Sequence, residues 1–269
     1  MANTSGNLEG IDAASGNGSQ PGDEYSPDNL DIETFQPTQV IYPDDRLEIK
    51  DTTIYPYRCI CFLKISFADG YSAPGTGWLV SSNTVITAGH CIFDHEHGGR
   101  AEKVEVIPGA SSRIPAPYGF CFSSDFDWDK RWEEDSSKPD YLRRHDHDYG
   151  AIFLPGKFPF QKNLGCFGFW SLEDNELLSK MVCICGYPSD KDEKTQWYHQ
   201  SLLSKVEGTR LHYQIDTYRG QSGSPVWCVS EQKPYVIGIH NGGSWSVNYA
   251  TRINDDIFKQ IKDWMAQRS

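Results

Sequence analysis

Asp216-Thr217-Tyr218-Arg219-Gly220-Gln221-Ser222-Gly223-Ser224-Pro225 sets a serine hydroxyl between glycines. A nucleophile on a tight loop needs such neighbours, because glycine accepts backbone conformations that a Cβ forbids. In such a loop the N–H groups of Gly220 and Ser222 can converge on a developing oxyanion. A hydroxyl is a weak nucleophile until a base takes its proton. Thr87-Ala88-Gly89-His90-Cys91 offers an imidazole among small residues. Asp146-His147-Asp148-Tyr149-Gly150-Ala151-Ile152-Phe153-Leu154 offers carboxylates at the mouth of an apolar strand. Acyl transfer would use Ser222 as nucleophile, His90 as general base and Asp148 as the acid that orients the imidazole. Asp146 competes for that last role. Alone, the serine loop reads equally well as a plain turn. The three segments together carry the expectation.

The order His, Asp, Ser along the chain is the chymotrypsin order. The segments around His90, Asp148 and Ser222 resemble the T-A-A/G-H-C, D-x-A-I and G-x-S-G-x-P motifs of the chymotrypsin-like serine peptidases. Further stretches are similar to the glutamyl endopeptidases, the Glu-specific branch of that clan: Val40-Ile41-Tyr42-Pro43-Asp44-Asp45-Arg46, Asp51 to Arg58, Gly186 to Lys191, Thr195-Gln196-Trp197 and Gly238-Ile239-His240-Asn241-Gly242-Gly243. The resemblance runs from about Val40 to the C-terminus. It implies two six-stranded antiparallel Greek-key barrels with the site between them. It also implies protein or peptide substrates with Glu, or Asp, ahead of the cleaved bond.

In that branch a threonine and a histidine recognise the substrate carboxylate, and the matching positions are Thr217 and His240. A hydroxyl and an imidazole donor suit an anion. The freed α-amine of the mature enzyme also helps there, which makes Val40 a third substrate-binding residue. Gln221 stands where trypsin-like zymogens hold an aspartate, so no ion pair to a new N-terminus is expected at that position. Asp216 lies where trypsin-like enzymes read Lys or Arg, and cleavage after basic residues is the competing reading. Arg219 reads equally as an attractor of acidic side chains and as a solvated arginine. A non-catalytic binding module on the same fold is the third reading, which the complete triad argues against.

Strong alternation, many aromatics, and abundant Gly and Pro predict an all-β architecture around these residues. Tyr57–Phe67 alternates with apolar residues in both sets, as a strand covered on both faces does. Trp78–Val80 and Thr84–Thr87 form a hairpin leading to His90. Phe167–Trp170 and Met181–Tyr187 are expected to open the second barrel, followed by strands at Lys205–Glu207 and Leu211–Ile215. Ser123–Pro139 reads as a charged surface insertion or lid. Asn254–Gln267 has the apolar spacing of a helix, with Asn254 or Asp255 as cap, expected on the second barrel. Met1–Gln39 is rich in Gly, Ser, Asn and Pro and carries acidic residues without Lys or Arg. It reads as a disordered acidic tail or propeptide, cut before a peptidase domain at 40–269.

The 269 residues carry a net charge of −12, which argues against nucleic acid as a partner. No apolar run is long enough to span a membrane. Met1–Gln20 lacks the basic and apolar regions of a signal peptide. The resemblance nonetheless implies a secreted enzyme, expected to be a monomer that needs no cofactor. Eight cysteines are present. By resemblance, the partner of Cys91 would stand at position 75, where this chain has glycine, so mostly free thiols are expected. Asp94-His95-Glu96-His97 and His145-Asp146-His147 offer imidazoles, but no complete metal-ligand spacing. They read as solvated polar loops, and no metal site is expected.

Overall fold

Leu63 and Ile65 alternate with Phe62 and Lys64; the three apolar side chains are buried and Lys64 is exposed. The structure, a computed structural model, describes residues 40–41, 43–137, 145–156, 164–244 and 246–267. The expected tail at Met1–Gln39 lies outside the described residues.

The first half of the chain contributes β1 (Leu47–Glu48), β2 (Ile60–Ser66), β3 (Ser72–Leu79), β4 (Thr84–Thr87), β5 (Phe93–Asp94), β6 (Gly99–Arg100), β7 (Lys103–Pro108), β8 (Cys121–Ser123), β9 (Phe126–Trp128), helix α1 (Lys130–Ser136) and β10 (Gly150–Phe153). The second half contributes β11 (Gly168–Phe169), α2 (Asp174–Leu178), β12 (Met181–Gly186), β13 (Trp197–Val206), β14 (Arg210–Tyr213), β15 (Pro225–Ser230), β16 (Lys233–Gly243), β17 (Asn248–Arg252) and α3 (Asp255–Ala266).

Seven strands form the first sheet in the order β8-β7-β2-β3-β4-β10-β9. Its neighbours pair antiparallel, with Trp78 opposite both Ile60 and Ile86. The second sheet runs β1-β13-β12-β15-β16-β17-β14 and closes through β13 onto β14. Six of its strands therefore make a closed barrel, as expected, with β1 and β11 added at its sides. There are two departures from two six-stranded barrels: the first sheet has seven strands, and β11 of the second pairs parallel to β16. Leu63, Trp78, Ile86 and Val106 fill the first core. Val182, Ile184, Leu211 and Val226 fill the second. Burying each such side chain contributes roughly 1.5–3 kcal/mol, which holds the loops between strands in place.

Two expectations change. Ser123–Pro139 is not a surface lid over its described length. β8 and β9 belong to the first sheet, and Trp128 and Trp132 are buried. Asp125 and Glu134 face out while the two indoles face in, a pattern that its charge density hides. α3 starts at its Asn254 cap, whose side chain accepts from the Ile257 N–H at 3.1 Å. It meets both halves: Trp264 lies 5.8 Å from Tyr149 and donates to Asp127 on the first-sheet side, while Phe258 lies 4.8 Å from Phe169 of β11.

Candidate active site

Each functional side chain sits where a strand gives way to a loop. β4 ends at Thr87, and one short turn, Gly89–Cys91, then carries His90. Asp148 directly precedes the strand register of β10, which pairs with β4 from Gly150 opposite Thr87. That pairing brings the carboxylate to the imidazole. Asp148 Oδ2 lies 2.8 Å from His90 Nδ1, and Oδ1 accepts the His90 backbone N–H at 2.8 Å. Asp148 is fully buried, whereas the His90 side chain keeps 25% exposure. Asp146 is engaged elsewhere, by Arg210 at 2.7 Å and the Thr209 hydroxyl at 3.0 Å. The choice between the two aspartates therefore falls on Asp148.

Ser222 lies on the loop between β14 and β15, in the other barrel. Thr76 of β3 joins the two halves. Its N–H donates to the Ser222 carbonyl at 2.9 Å, and its hydroxyl donates to the Gly220 carbonyl at 2.7 Å. Gly223 has φ +85°, and a Cβ there would stand 2.1 Å from the Thr76 oxygen and 2.9 Å from the Ala88 nitrogen. The serine loop thus lies against the strand end that carries His90, and the close approach requires glycine. Cys91 Sγ is 3.8 Å from the Ser222 carbonyl. Among the described residues no hydrogen bond joins the His90 ring to the Ser222 hydroxyl. Such contacts are often loose until substrate binds.

Gly220 has φ +93°, and a Cβ there would meet the Tyr187 oxygen at 2.4 Å. The N–H groups of Gly220 and Ser222 donate to no group among the described residues, whereas Gln221, Gly223 and Ser224 N–H are all paired. Unpaired donors at buried backbone are rare, and two of them separated by one residue are chemically able to receive an oxyanion.

Asp216 is 1% exposed. Its carboxylate accepts the Ile41 N–H at 2.6 Å and the Asp45 N–H at 2.9 Å, and its own N–H donates to His199. An amide already sits on each of its oxygens, so a substrate lysine or arginine would have to share them. The same bonds hold the segment that follows Val40 against Asp216, the residue before Thr217. Arg46 anchors that segment through Asp44 and Asp190. Thr217 and His240 are both fully buried, and among the described residues their Oγ1 and Nε2 atoms have no hydrogen-bond partner. Tyr213 lies 2.7 Å from His240 Nδ1. Burial pushes the His240 pKa down to about 3. β16 meets the serine loop here: Gly223 N–H donates to the His240 carbonyl, and His240 N–H to the Ser224 carbonyl. Gln221 is buried and binds the Tyr218 N–H. Arg219 is exposed on the loop.

The electrostatics centre on Asp148. Burial opposes its ionisation, but His90 and His145 outweigh it and hold the carboxyl well below the usual carboxylate range. Burial likewise disfavours a charged His90, yet Asp148 outweighs it and holds that pKa above its ordinary value. From sequence, His145 belongs to a solvated polar loop. It is instead buried, with Nδ1 at 2.9 Å from Asp148 Oδ2. The other imidazoles fit the solvated reading: His97 pairs with Asp69, and His95 meets the Glu133 carbonyl. His90, His145 and Asp148 bring donor atoms within 4.8 Å of one another. Ligands about 2.0–2.1 Å from a tetrahedral zinc stand roughly 3.3 Å apart. The 2.8 and 2.9 Å separations here are those of direct hydrogen bonds, so this arrangement does not fit an ion.

All eight cysteines are free thiols. A Cβ at Gly75 would lie 3.4 Å from Cys91 Sγ, so position 75 does face that thiol. On the flank of the serine loop formed by Thr76 and Tyr187 lies a cavity of about 250 Å³ whose lining includes Lys64, Lys191, Lys194 and Glu193. Lys191 pairs with Asp44. Sequence reading missed Thr76, Tyr213, Trp132 and His145. Only His145 had a signal, its place in a run of histidine and aspartate.

The trypsin-like peptidase domain matches residues 75–239. The chain belongs to the trypsin-like peptidase family and is an enzyme. It is 35% identical over 233 residues to the glutamyl endopeptidase of Bacillus licheniformis, covering 84% of this chain and 68% of that one. It is 34% identical over 238 residues to a Bacillus subtilis protein named extracellular metalloprotease, covering 88% and 72%. A solved Glu endopeptidase in complex with MPD shares the fold, with TM-score 0.71 at 22% identity over 84% of this chain and 99% of that one.

Proposed function

We propose that the chain is a serine endopeptidase that cleaves after glutamate through an acyl-enzyme on Ser222. Two unpartnered polar atoms carry the glutamate reading, Thr217 Oγ1 and His240 Nε2. A buried polar group left without a partner costs about 1–3 kcal/mol. A substrate carboxylate would relieve both. Burial keeps the Tyr213 phenol protonated. With that phenol donating to Nδ1, the neutral ring presents Nε2–H to the anion. The Val40 α-amine, once freed, would add a positive charge. The segment 1–39 then acts as a propeptide, and secretion agrees with the name of the Bacillus subtilis relative.

In the proposed reaction His90 Nε2 takes the Ser222 proton as Oγ attacks the scissile carbonyl. Gly220 and Ser222 N–H hold the oxyanion. The imidazolium, steadied by Asp148, then protonates the leaving amine. Water repeats the sequence to release the acid. On this reading the residues after the cleaved bond leave along the Tyr187 flank, toward the cationic cavity. Lys64 and Lys194 there favour substrates acidic on both sides of the bond.

Cleavage-site mapping on the form starting at Val40 tests the reading. Cuts after Glu support it, and cuts after Lys or Arg sink it. Labelling by a serine-directed phosphonate, abolished in S222A, tests the nucleophile. Loss of activity to a chelator with no phosphonate labelling would instead favour the chemistry in the Bacillus subtilis relative's name.

A further inference from the structure

One oxygen of Asp148 serves two imidazoles. His90 Nδ1 stands 2.8 Å from Oδ2, and His145 Nδ1 stands 2.9 Å from the same atom. A carboxylate held well below its usual range is ionised at neutral pH and only accepts. Both ring nitrogens must therefore carry protons. His145 is clamped for this task. Its ring stacks on Trp132 at 6.0 Å and meets Tyr249 at 5.6 Å. Its carbonyl accepts from Asn241 Nδ2 at 3.1 Å and the Thr251 hydroxyl at 2.9 Å. Asn241 and Thr251 belong to the second barrel, so this clamp crosses between the two halves. Trp132 also reaches the His90 ring, at 6.4 Å.

We propose that His145 is a positioning residue of the active site: its Nδ1–H orients the Asp148 carboxylate and draws off part of its charge, which sets the basicity of His90. The inference rests on the triad reading above.

The consequence has a sign. A donor on Oδ2 leaves less negative charge for the His90 ring. Without it, the carboxylate holds the imidazolium more strongly, and His90 needs a higher pH to become the free base. Around this pair the charged and titratable groups are His90, His145, Arg210 with its partner Asp146, His240 and Cys91. Burial, reinforced by His90 and Arg210, pushes the His145 pKa down. His145 thus stays neutral over the range in which His90 titrates.

H145F keeps a ring between Trp132 and Tyr249 but removes the donor. H145N keeps a short N–H donor near the Nδ1 position. In H145F, kcat should fall about tenfold at neutral pH with KM little changed. The acid limb of its pH profile should move up by roughly half a unit to one unit. H145N should stay within about threefold of the parent, with the acid limb unmoved. A proton NMR spectrum of the form starting at Val40, carrying ¹⁵N-histidine, should show two ring N–H protons held by a carboxylate, one of them lost in H145F. An H145F acid limb identical to the parent's, or a single carboxylate-held ring proton in the parent, would overturn the assignment. The spectrum does not depend on turnover, so it stands apart from failure of the serine peptidase reading.

Discussion

Thr217→Val separates stability from specificity in one substitution. Thr217 is fully buried, and its hydroxyl has no partner among the described residues. Valine has nearly the same shape, so no cavity opens and only the orphan oxygen disappears. An unsatisfied buried hydroxyl costs about 1–3 kcal/mol. The variant should therefore be more stable by about 1 kcal/mol, which is roughly 2–4 °C in Tm for a domain of this size. The cost falls on catalysis. A hydrogen bond to a charged group is worth about 1.5–3 kcal/mol, which corresponds to roughly a 10- to 150-fold loss in kcat/KM. That loss should appear with a Glu substrate and not with its Gln analogue. Thermal unfolding and paired kinetics on the two peptides measure both effects. A valine enzyme that melts earlier and still prefers Glu over Gln by the parental ratio would refute the reasoning, because the hydroxyl would then be structural.

Other outcomes follow from the same geometry. The form beginning at Val40 should exceed the full chain at least tenfold in kcat/KM on Glu peptides, since only a freed α-amine adds a cation beside Thr217; equal activity would remove Val40 from the site. His240, held at about 3, binds its proton less readily folded than unfolded, where a histidine titrates near 6.5. Its contribution to stability is complete above about 6.5 and fades as pH falls toward 3, by about 1.4 kcal/mol per pH unit at most. Urea unfolding of the parent against H240Q between pH 7 and pH 4 should show the difference. Reversing charge with K64E or K194E should lower kcat/KM about two- to fivefold on peptides acidic after the cleaved bond, an effect that salt erases. A substrate with only a chromophore beyond that bond should be cleaved as before.

Much of the fold was legible because its signals are local. Alternation in Ile60–Ser66 and in Met181–Gly186 marks strands wherever they end up. The spacing in Asp255–Ala266 marks a helix, and Asn254 caps it as an Asn at that place does. What the helix packs against is not local. Ile257, Ile261 and Trp264 say only that one face is apolar, and the first core took it because Tyr149 and Asp127 complete its surface. Trp128 and Trp132 show the same limit. Their acidic neighbours dominate the composition, while burial is settled one side chain at a time.

By itself the sequence determined the chemistry on offer: a serine between glycines, an imidazole after a strand, a carboxylate before another, and a threonine and histidine suited to an anion. These are properties of residue type and of short spacing, and they survive unfolding. The sequence favoured Asp148 for His90, but only the tertiary structure shows what occupies its rival, because Arg210 is far from Asp146 in the chain and adjacent to it in space. The tertiary structure also decided that Asp216 accepts the amides of Ile41 and Asp45, across 175 and 171 positions. The sharing of one Asp148 oxygen by His90 and His145 depends likewise on the meeting of β4, β10 and β16, whose long-range packing no local pattern encodes.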